Sequence, residues 1–219
     1  RFPNKVMHLI NNVPMIELLL KRLSLSKRID KIIIATSINL NNEPMVEHLN
    51  GLGFDVFQGD EDNVLERFFL AAQPFKPETI IRITGDCPLV DSALVDEIID
   101  EYNKLGIDYL SNIAPPTYPE GMDIEVFSFK ALCTSMNNTI NEFDKEHVTP
   151  YIRNSGLFSM ANYSNDNDFS EIRLTVDEKV DFEVITNIYD HFHPEIVFSW
   201  KQVIQLYEKI LMSGDGDFF

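Results

Sequence analysis

The sequence has no apolar run approaching the ~20 residues that a membrane-spanning helix needs; Ile32-Ile33-Ile34-Ala35 is among its longest. No basic segment followed by an apolar stretch, the mark of a secretory signal, is visible either. Cysteine is scarce. Cys87 and Cys133 stand 46 positions apart, too few and too distant for a disulfide framework or a zinc site, which predicts a reducing, cytoplasmic setting. Positive charge is short as well: 18 Lys and Arg against 35 Asp and Glu leave a net charge of −17. That balance argues against sequence-independent binding of nucleic acid. Gly-x-Ser-x-Gly, His-Glu-x-x-His and the Walker-type Gly-x4-Gly-Lys-Ser/Thr are all missing, so the hydrolase and NTPase chemistries tied to them are not expected. What is present is ordinary, 44% hydrophobic and 24% charged, a globular mixture that excludes disordered, collagenous and coiled-coil chains.

Strand-like and helix-like patterns alternate with short connections. An apolar, β-branched run covers 31–36, helical spacing follows over 44–52, then come a short strand over 55–58 and a helix over 63–72. Thr-Ile-Ile-Arg-Ile-Thr (79–84) reads as the next strand and 92–105 as an amphipathic helix. Near-continuous Ile/Val strands between such helices predict a doubly wound α/β fold, a mostly parallel sheet with helices on both faces. From about residue 108 the pattern changes. A short strand over 108–112 leads to a turn-rich loop, 114–121, and 123–127 alternates Asp/Ile/Glu/Val/Phe. That period of two suits a strand with one wet face, here part of an exposed β-hairpin. A strand over 171–176 and helices over 180–192 and 199–211 complete the pattern, with Ser199 and Gln202 as a capping box. One domain, 1–219, is expected, with a β-rich insertion over about 113–170. The sequence opens on Arg1-Phe2-Pro3-Asn4-Lys5, without the strand that normally begins such a sheet, so a first strand is expected to be missing.

Ligands of open α/β sheets bind beyond the carboxyl ends of the strands. Gly85-Asp86-Cys87-Pro88 follows the strand over 79–84 and puts Asp86 there; capping a turn is its competing role. Thr175-Val176-Asp177-Glu178 ends another strand in the same way, and Asp177 could instead cap the next helix. If the two strands are neighbours, Asp86 and Asp177 converge. Two carboxylates without a basic partner repel, and a shared divalent cation keeps both ionised. Magnesium suits this arrangement, since it takes oxygen ligands, commonly one or two carboxylates plus substrate phosphates. Arg1 and Lys5 carry the positive charge that a triphosphate needs. Arg67 could reach the same edge or pair with Glu66 or Asp62. Arg82, between Ile81 and Ile83, could meet a ligand or a buried carboxylate. His147, in Glu146-His147-Val148-Thr149-Pro150-Tyr151-Ile152-Arg153, could orient a sugar or serve the structure alone.

Together these segments resemble the sugar-acid cytidylyltransferases, most nearly the spore-coat polysaccharide biosynthesis protein F type, which is related to acylneuraminate and deoxy-octulosonate cytidylyltransferases. Arg1-Phe2-Pro3-Asn4-Lys5 looks like the end of that family's phosphate loop, with Asn4 where glycine is usual. Ile34-Ala35-Thr36-Ser37-x-Asn39, Asn63 to Phe68, Arg82 to Leu89, Tyr118 to Phe127, Glu146 to Arg153 and Thr175 to Glu178 also fit, in order. The resemblance implies a nucleotide-diphospho-sugar transferase-like fold and conversion of CTP and a sugar, often an acid, to a CMP-sugar and pyrophosphate. It implies magnesium on Asp86 and Asp177, and phosphate contacts from Arg1 and Lys5. It also implies nucleotide contacts from Ala35, Thr36, Ser37 and Arg67, with Arg82 placed in the same group. The 118–126 region, with Tyr118, Asp123 and Glu125, would face the sugar or a second subunit.

The expected chemistry is in-line displacement at the α-phosphorus of CTP by a sugar hydroxyl, governed by positioning and charge neutralisation. No general base is identifiable; a metal-bound water or an acid near Asp181 are both open. Two rival readings stand beside it. A glycosyltransferase on a similar sheet would release a nucleoside diphosphate and usually carries an Asp-x-Asp pair, which Gly85-Asp86-Cys87-Pro88 is not. A nucleotide-binding module without turnover is the other. The exposed hairpin also points to a two-fold homodimer.

Overall fold

The computed structural model describes residues 2–213. A hairpin of β1 (Leu9–Ile10) and β2 (Val13–Pro14) leads into α1 (Met15–Leu23), β3 (Ile33–Ser37), α2 (Glu43–Gly51) and β4 (Asp55–Gly59). Next come α3 (Val64–Ala72), β5 (Thr79–Arg82), α4 (Ser92–Leu105), β6 (Tyr109–Ser111) and β7 (Glu125–Ser128). Helices α5 (Phe129–Asn138), α6 (Glu142–His147) and α7 (Pro150–Asn154) precede β8 (Met160–Asn162), and α8 (Lys179–Phe192) and α9 (Trp200–Ser213) follow it. β3 and β4 pair in parallel, Ile33 opposite Asp55. The other four strands form a sheet in the order β5-β7-β6-β8. There β7 runs antiparallel to β5 and β6, while β6 and β8 are parallel.

Successive side chains of a strand point to opposite faces, and this divides the interior into two apolar layers. Ile81, Leu110 and Val126 pack with α1, α4, α8 and α9; their neighbours Ile80, Tyr109 and Phe127 pack with α3, α5 and α7. Helices therefore cover both faces of the sheet, and the α/β fold expected from the alternation is the one observed. Local signals set the joints. Asp91 caps α4 by accepting from Ala93 N at 2.8 Å, and its other oxygen accepts from Trp200 N at 2.9 Å, joining the starts of α4 and α9. Ser199 and Gln202 form the expected box, at 3.2 and 2.8 Å. Arg22 is buried and donates to the carbonyls of Leu89, Val90, Ile196 and Phe198. Among the described residues no helix is long and apolar enough to cross a membrane.

Three expectations change. The 113–170 region is not simply β-rich, because α5, α6 and α7 lie within it beside β7 and β8. The alternating 123–127 segment is not an exposed hairpin. β7 is a central strand with Glu125, Val126 and Phe127 at 2%, 0% and 0% exposure, because Glu125 is neutralised inside the protein. The exposed-hairpin basis for a two-fold dimer falls with it. Residues 171–176 form an extended segment whose assigned pairing is a single parallel bridge, Glu120 to Arg173.

Candidate active site

Two segments far apart in sequence are laid side by side beyond the end of β5. The carbonyl of Asp86 accepts from Val176 N at 2.9 Å and from Thr175 Oγ1 at 3.2 Å. Gly121, at φ 100°, lets the 118–124 loop press on the same strip: a Cβ there would lie 2.6 Å from the Leu174 carbonyl carbon. The Asp86 and Asp177 carboxylates then meet around one ammonium. Lys5 Nζ donates to Asp86 Oδ2 at 3.1 Å, Asp177 Oδ1 at 3.0 Å and the Val176 carbonyl at 2.5 Å.

Asp177 also accepts from Arg173 at 2.6 Å, and Arg173 reaches Glu120 at 2.6 Å and Asp181 at 3.1 Å. The expectation that the two carboxylates lack a basic partner is therefore corrected: Lys5 and Arg173 relieve their repulsion. Burial opposes the charge on Lys5, but Asp177 and Asp86 outweigh it and raise its pKa. The hydrogen bond from Lys5, reinforced by Arg173, holds Asp177 below the usual carboxylate range in spite of burial. Glu178, not Asp177, caps α8, in a reciprocal box with Asp181. That leaves both Asp177 oxygens to the cations. Asp181 is in turn fully engaged by Arg173 and the amides of Asp177 and Glu178, so it is no free base.

Three oxygens thus surround one cationic centre, from Asp86, Asp177 and Val176. These hard donors suit magnesium. Among the described residues no group of three or more His, Cys, Asp and Glu gathers to hold a metal, so phosphate oxygens and water would complete the shell. Asp86 and Asp177 fit a divalent ion whose charge replaces that of the Lys5 ammonium. Cys87 is buried beside them, 3.1 Å from Thr84 Oγ1, and burial pushes its thiol pKa far up; it is an inert neighbour.

The remaining candidates divide. Ala35, Thr36, Arg67, Arg82 and His147 line one cavity of about 690 Å³ that Gly85 also borders. Ser37 ends β3 beside it and holds Asn42 at 2.8 Å. Arg67 pairs with neither Glu66 nor Asp62; it donates to the Asp60 carbonyl at 2.9 Å. Arg82 takes the buried-carboxylate role, meeting Glu125 Oε2 at 2.5 Å. Glu125 itself, expected at the sugar, is a correction: it is 2% exposed and accepts from Tyr109 and Thr149 at 2.6 Å as well as from Arg82. Tyr118 is the other, since its ring sits in the core against Trp200 at 5.2 Å and Tyr163 at 6.3 Å. Asp123 stays half-buried near Asp86, between Met122 and Ile124, whose backbone Asn112 holds by donating to Met122 O at 2.7 Å and accepting from Ile124 N at 2.8 Å. His147 is exposed, its ring edge-on to Phe143. Arg1 lies outside the described residues. Arg173 and Asn112 were missed by the sequence reading, because neither stands in a motif, and the Arg173 contact with Glu120 spans 53 residues.

A sequence model of the family described as Cytidylyltransferase matches residues 1–210. The chain belongs to the cytidylyltransferase family. Within the curated proteins it is 36% identical over 213 residues to the uncharacterized protein MJ1063 of Methanocaldococcus jannaschii, covering 95% of this chain and 86% of that one. It is 34% identical over 197 residues to the spore coat polysaccharide biosynthesis protein SpsF of Bacillus subtilis, covering 86% and 81%. The structure of a cytidylyltransferase from Leptospira borgpetersenii superposes with a TM-score of 0.90 at 29% identity, covering 95% of this chain and 89% of the other. Asp86 lies beyond the end of β5, and Asp177 ends the extended segment laid beside it.

Proposed function

We propose that this cytidylyltransferase transfers CMP from CTP to a hydroxyl of a sugar, most aptly a sugar acid, and releases pyrophosphate. The observation that carries the reading is the convergence of Asp86 and Asp177 on one cationic centre. Asp86 and Asp177 would hold Mg²⁺, which supplies charge neutralisation at the phosphates when bound. Lys5 carries a mobile positive charge at the same point, and transfer of its hydrogen bonds from the carboxylates to pyrophosphate oxygens would stabilise the leaving group. Arg1 is assigned to those phosphates by its place in the Arg1–Lys5 motif. Ala35, Thr36 and Ser37, at the end of β3, and Arg67 above them are assigned to the base and ribose. Asp123 and His147 remain for the sugar, while Arg82 and Glu125 act as a buried strut beneath the site. In-line attack then depends on holding the two substrates rather than on covalent help.

Incubation with CTP, Mg²⁺ and a panel of sugar acids and neutral sugars, read by pyrophosphate release, tests this. The expected outcome is pyrophosphate and a CMP-sugar with CTP preferred over the other nucleoside triphosphates. Release of a nucleoside diphosphate from a nucleotide-sugar would favour a glycosyltransferase instead. CTP binding with no turnover across the panel would favour a binding module.

A further inference from the structure

Transfer to a sugar hydroxyl needs a group to take the hydroxyl proton, and the acids around the Asp86–Asp177 pair are nearly all committed. Asp86 and Asp177 hold the cationic centre. Glu120 and Asp181 are bound by Arg173. Glu125 is sealed in the sheet by Arg82, Tyr109 and Thr149. Asp123 is the exception. Its carboxylate accepts from the Gly121 amide, and among the described residues it forms no ion pair.

The strands fix where that carboxylate stands. Arg82 of β5 lies opposite Glu125 of β7 in the antiparallel register. Two residues further toward the carboxyl end of β5, the same register brings Asp123 level with Thr84, on the face that Arg82 and Glu125 share. Thr84 and Gly85 border the cavity of about 690 Å³ that Ala35, Thr36 and Arg67 also line, and Asp86 follows at once. Cys87 marks the closeness. Its sulfur is 3.1 Å from Thr84 Oγ1 and 3.6 Å from Asp86 Oδ1, and the charges of both Asp86 and Asp123 bear on its thiol. Asp123 thus stands at the rim where the residues assigned to the nucleotide meet the pair assigned to the metal. Asn112 fixes the backbone on either side of it, through Met122 O and Ile124 N. The side chain is still reachable: Asp123 is partly exposed, whereas Met122 and Ile124 are both at 0%.

We propose that Asp123 is the general base of the transfer. The assignment rests on the CMP-transfer reading above and names the group that reading leaves open. The Asp123 carboxylate accepts the hydroxyl proton of the sugar while the hydroxyl oxygen bonds to the α-phosphorus of CTP. The bond from that phosphorus to the bridging oxygen breaks, and pyrophosphate departs with the electron pair toward Lys5. The proton stays on Asp123 until the products leave and water reaches it. Burial lifts the Asp123 pKa to about 6, with Glu120, Glu125 and Asp86 adding to the effect. It is therefore ionised at neutral pH and more basic than an exposed carboxylate.

Asp123→Asn and Asp123→Ala, compared with the parent chain, test this in three readouts. These are pyrophosphate release from CTP and the sugar panel, calorimetric binding of CTP with Mg²⁺, and recovery of release by added formate, a carboxylate small enough for the gap that alanine leaves. Both variants are expected to lose about 10²–10³-fold in kcat while CTP binding with Mg²⁺ stays within about threefold. Formate is expected to speed release by Asp123→Ala about tenfold or more and to leave the parent and Asp123→Asn unchanged. A kcat within about threefold of the parent in both variants would overturn the assignment. Loss of the Mg²⁺-dependent CTP binding would overturn it too, by making Asp123 a metal ligand, and failure of formate at Asp123→Ala would reduce the residue to a structural role. No release from a parent chain that binds CTP would overturn the transfer reading itself, whereas equal release by parent and Asp123→Asn would overturn the base alone.

Discussion

Asp123 is a carboxylate held in acidic company. Burial pushes its pKa up to about 6, and Glu120, Glu125 and Asp86 add to the effect. A folded pKa above the ordinary value means that the folded chain binds the proton more tightly than the unfolded chain between about pH 4 and 6. Stability contributed by this group is therefore lost as pH rises through that window. Asp123→Asn is expected to raise stability at pH 7.5 by about 2 kcal/mol and to flatten the pH dependence between 4 and 6. Urea unfolding across that range checks it, and an unchanged slope would contradict the assignment. Glu125 shows the opposite solution to the same problem. It is more deeply buried, but Arg82, Tyr109 and Thr149 surround it. Removing the charge with Glu125→Gln leaves Arg82 with a neutral partner, and a loss of about 3 kcal/mol is expected in the same unfolding assay. From the sequence, Asp123 and Glu125 are alternate residues of one pattern; nothing in a period of two distinguishes an acid facing water from an acid facing an arginine.

At the scale of elements, the strip from Leu174 to Asp177 and the loop before β7 act as one unit, stapled by Gly121 and by Arg173 to Glu120. Gly121→Ala combines a positive φ with a Cβ 2.6 Å from backbone, a contact that only movement of the strip relieves. The expected loss is about 3 kcal/mol, with near-ultraviolet circular dichroism shifted where Trp200 packs on Tyr118; a variant as stable as the parent would show that the strip is not tightly held. The elements themselves were legible to different degrees. Helices α4 and α8 carry an apolar stripe and clear ends, and the sequence placed α4 at its observed bounds and α8 within one residue. The first helix was missed although Met15 to Leu23 carries an amphipathic pattern, with Glu17 and Lys21 paired on one side; burial of Glu17 and Arg22 extends its covered surface beyond the apolar stripe. Helices α6 and α7 escaped because they are short and separated at the Thr149-Pro150 junction; α5, at ten residues, was missed without that reason.

Across the whole molecule, the site depends on topology that bridges great sequence distance. Asp86 and Asp177 each stood out as an acid after a strand, and their convergence followed from the rule for α/β sheets. What the sequence did not disclose is the cation network: Lys5, 81 residues from Asp86, and Arg173 as the hub of three acids. The resemblance to cytidylyltransferases supplied the family, while the geometry brings Lys5, Asp86 and Asp177 together and packs Tyr118 in the core. The most direct measurement of the central claim is a calorimetric titration of CTP, with and without Mg²⁺, into the parent chain, Asp86→Asn and Asp177→Asn. Both substitutions keep an oxygen for Lys5 and remove one carboxylate charge. Mg²⁺ is expected to tighten CTP binding to the parent chain by about tenfold or more, and each substitution to abolish that gain. Equal enhancement by Mg²⁺ in all three proteins would contradict a cation held between Asp86 and Asp177.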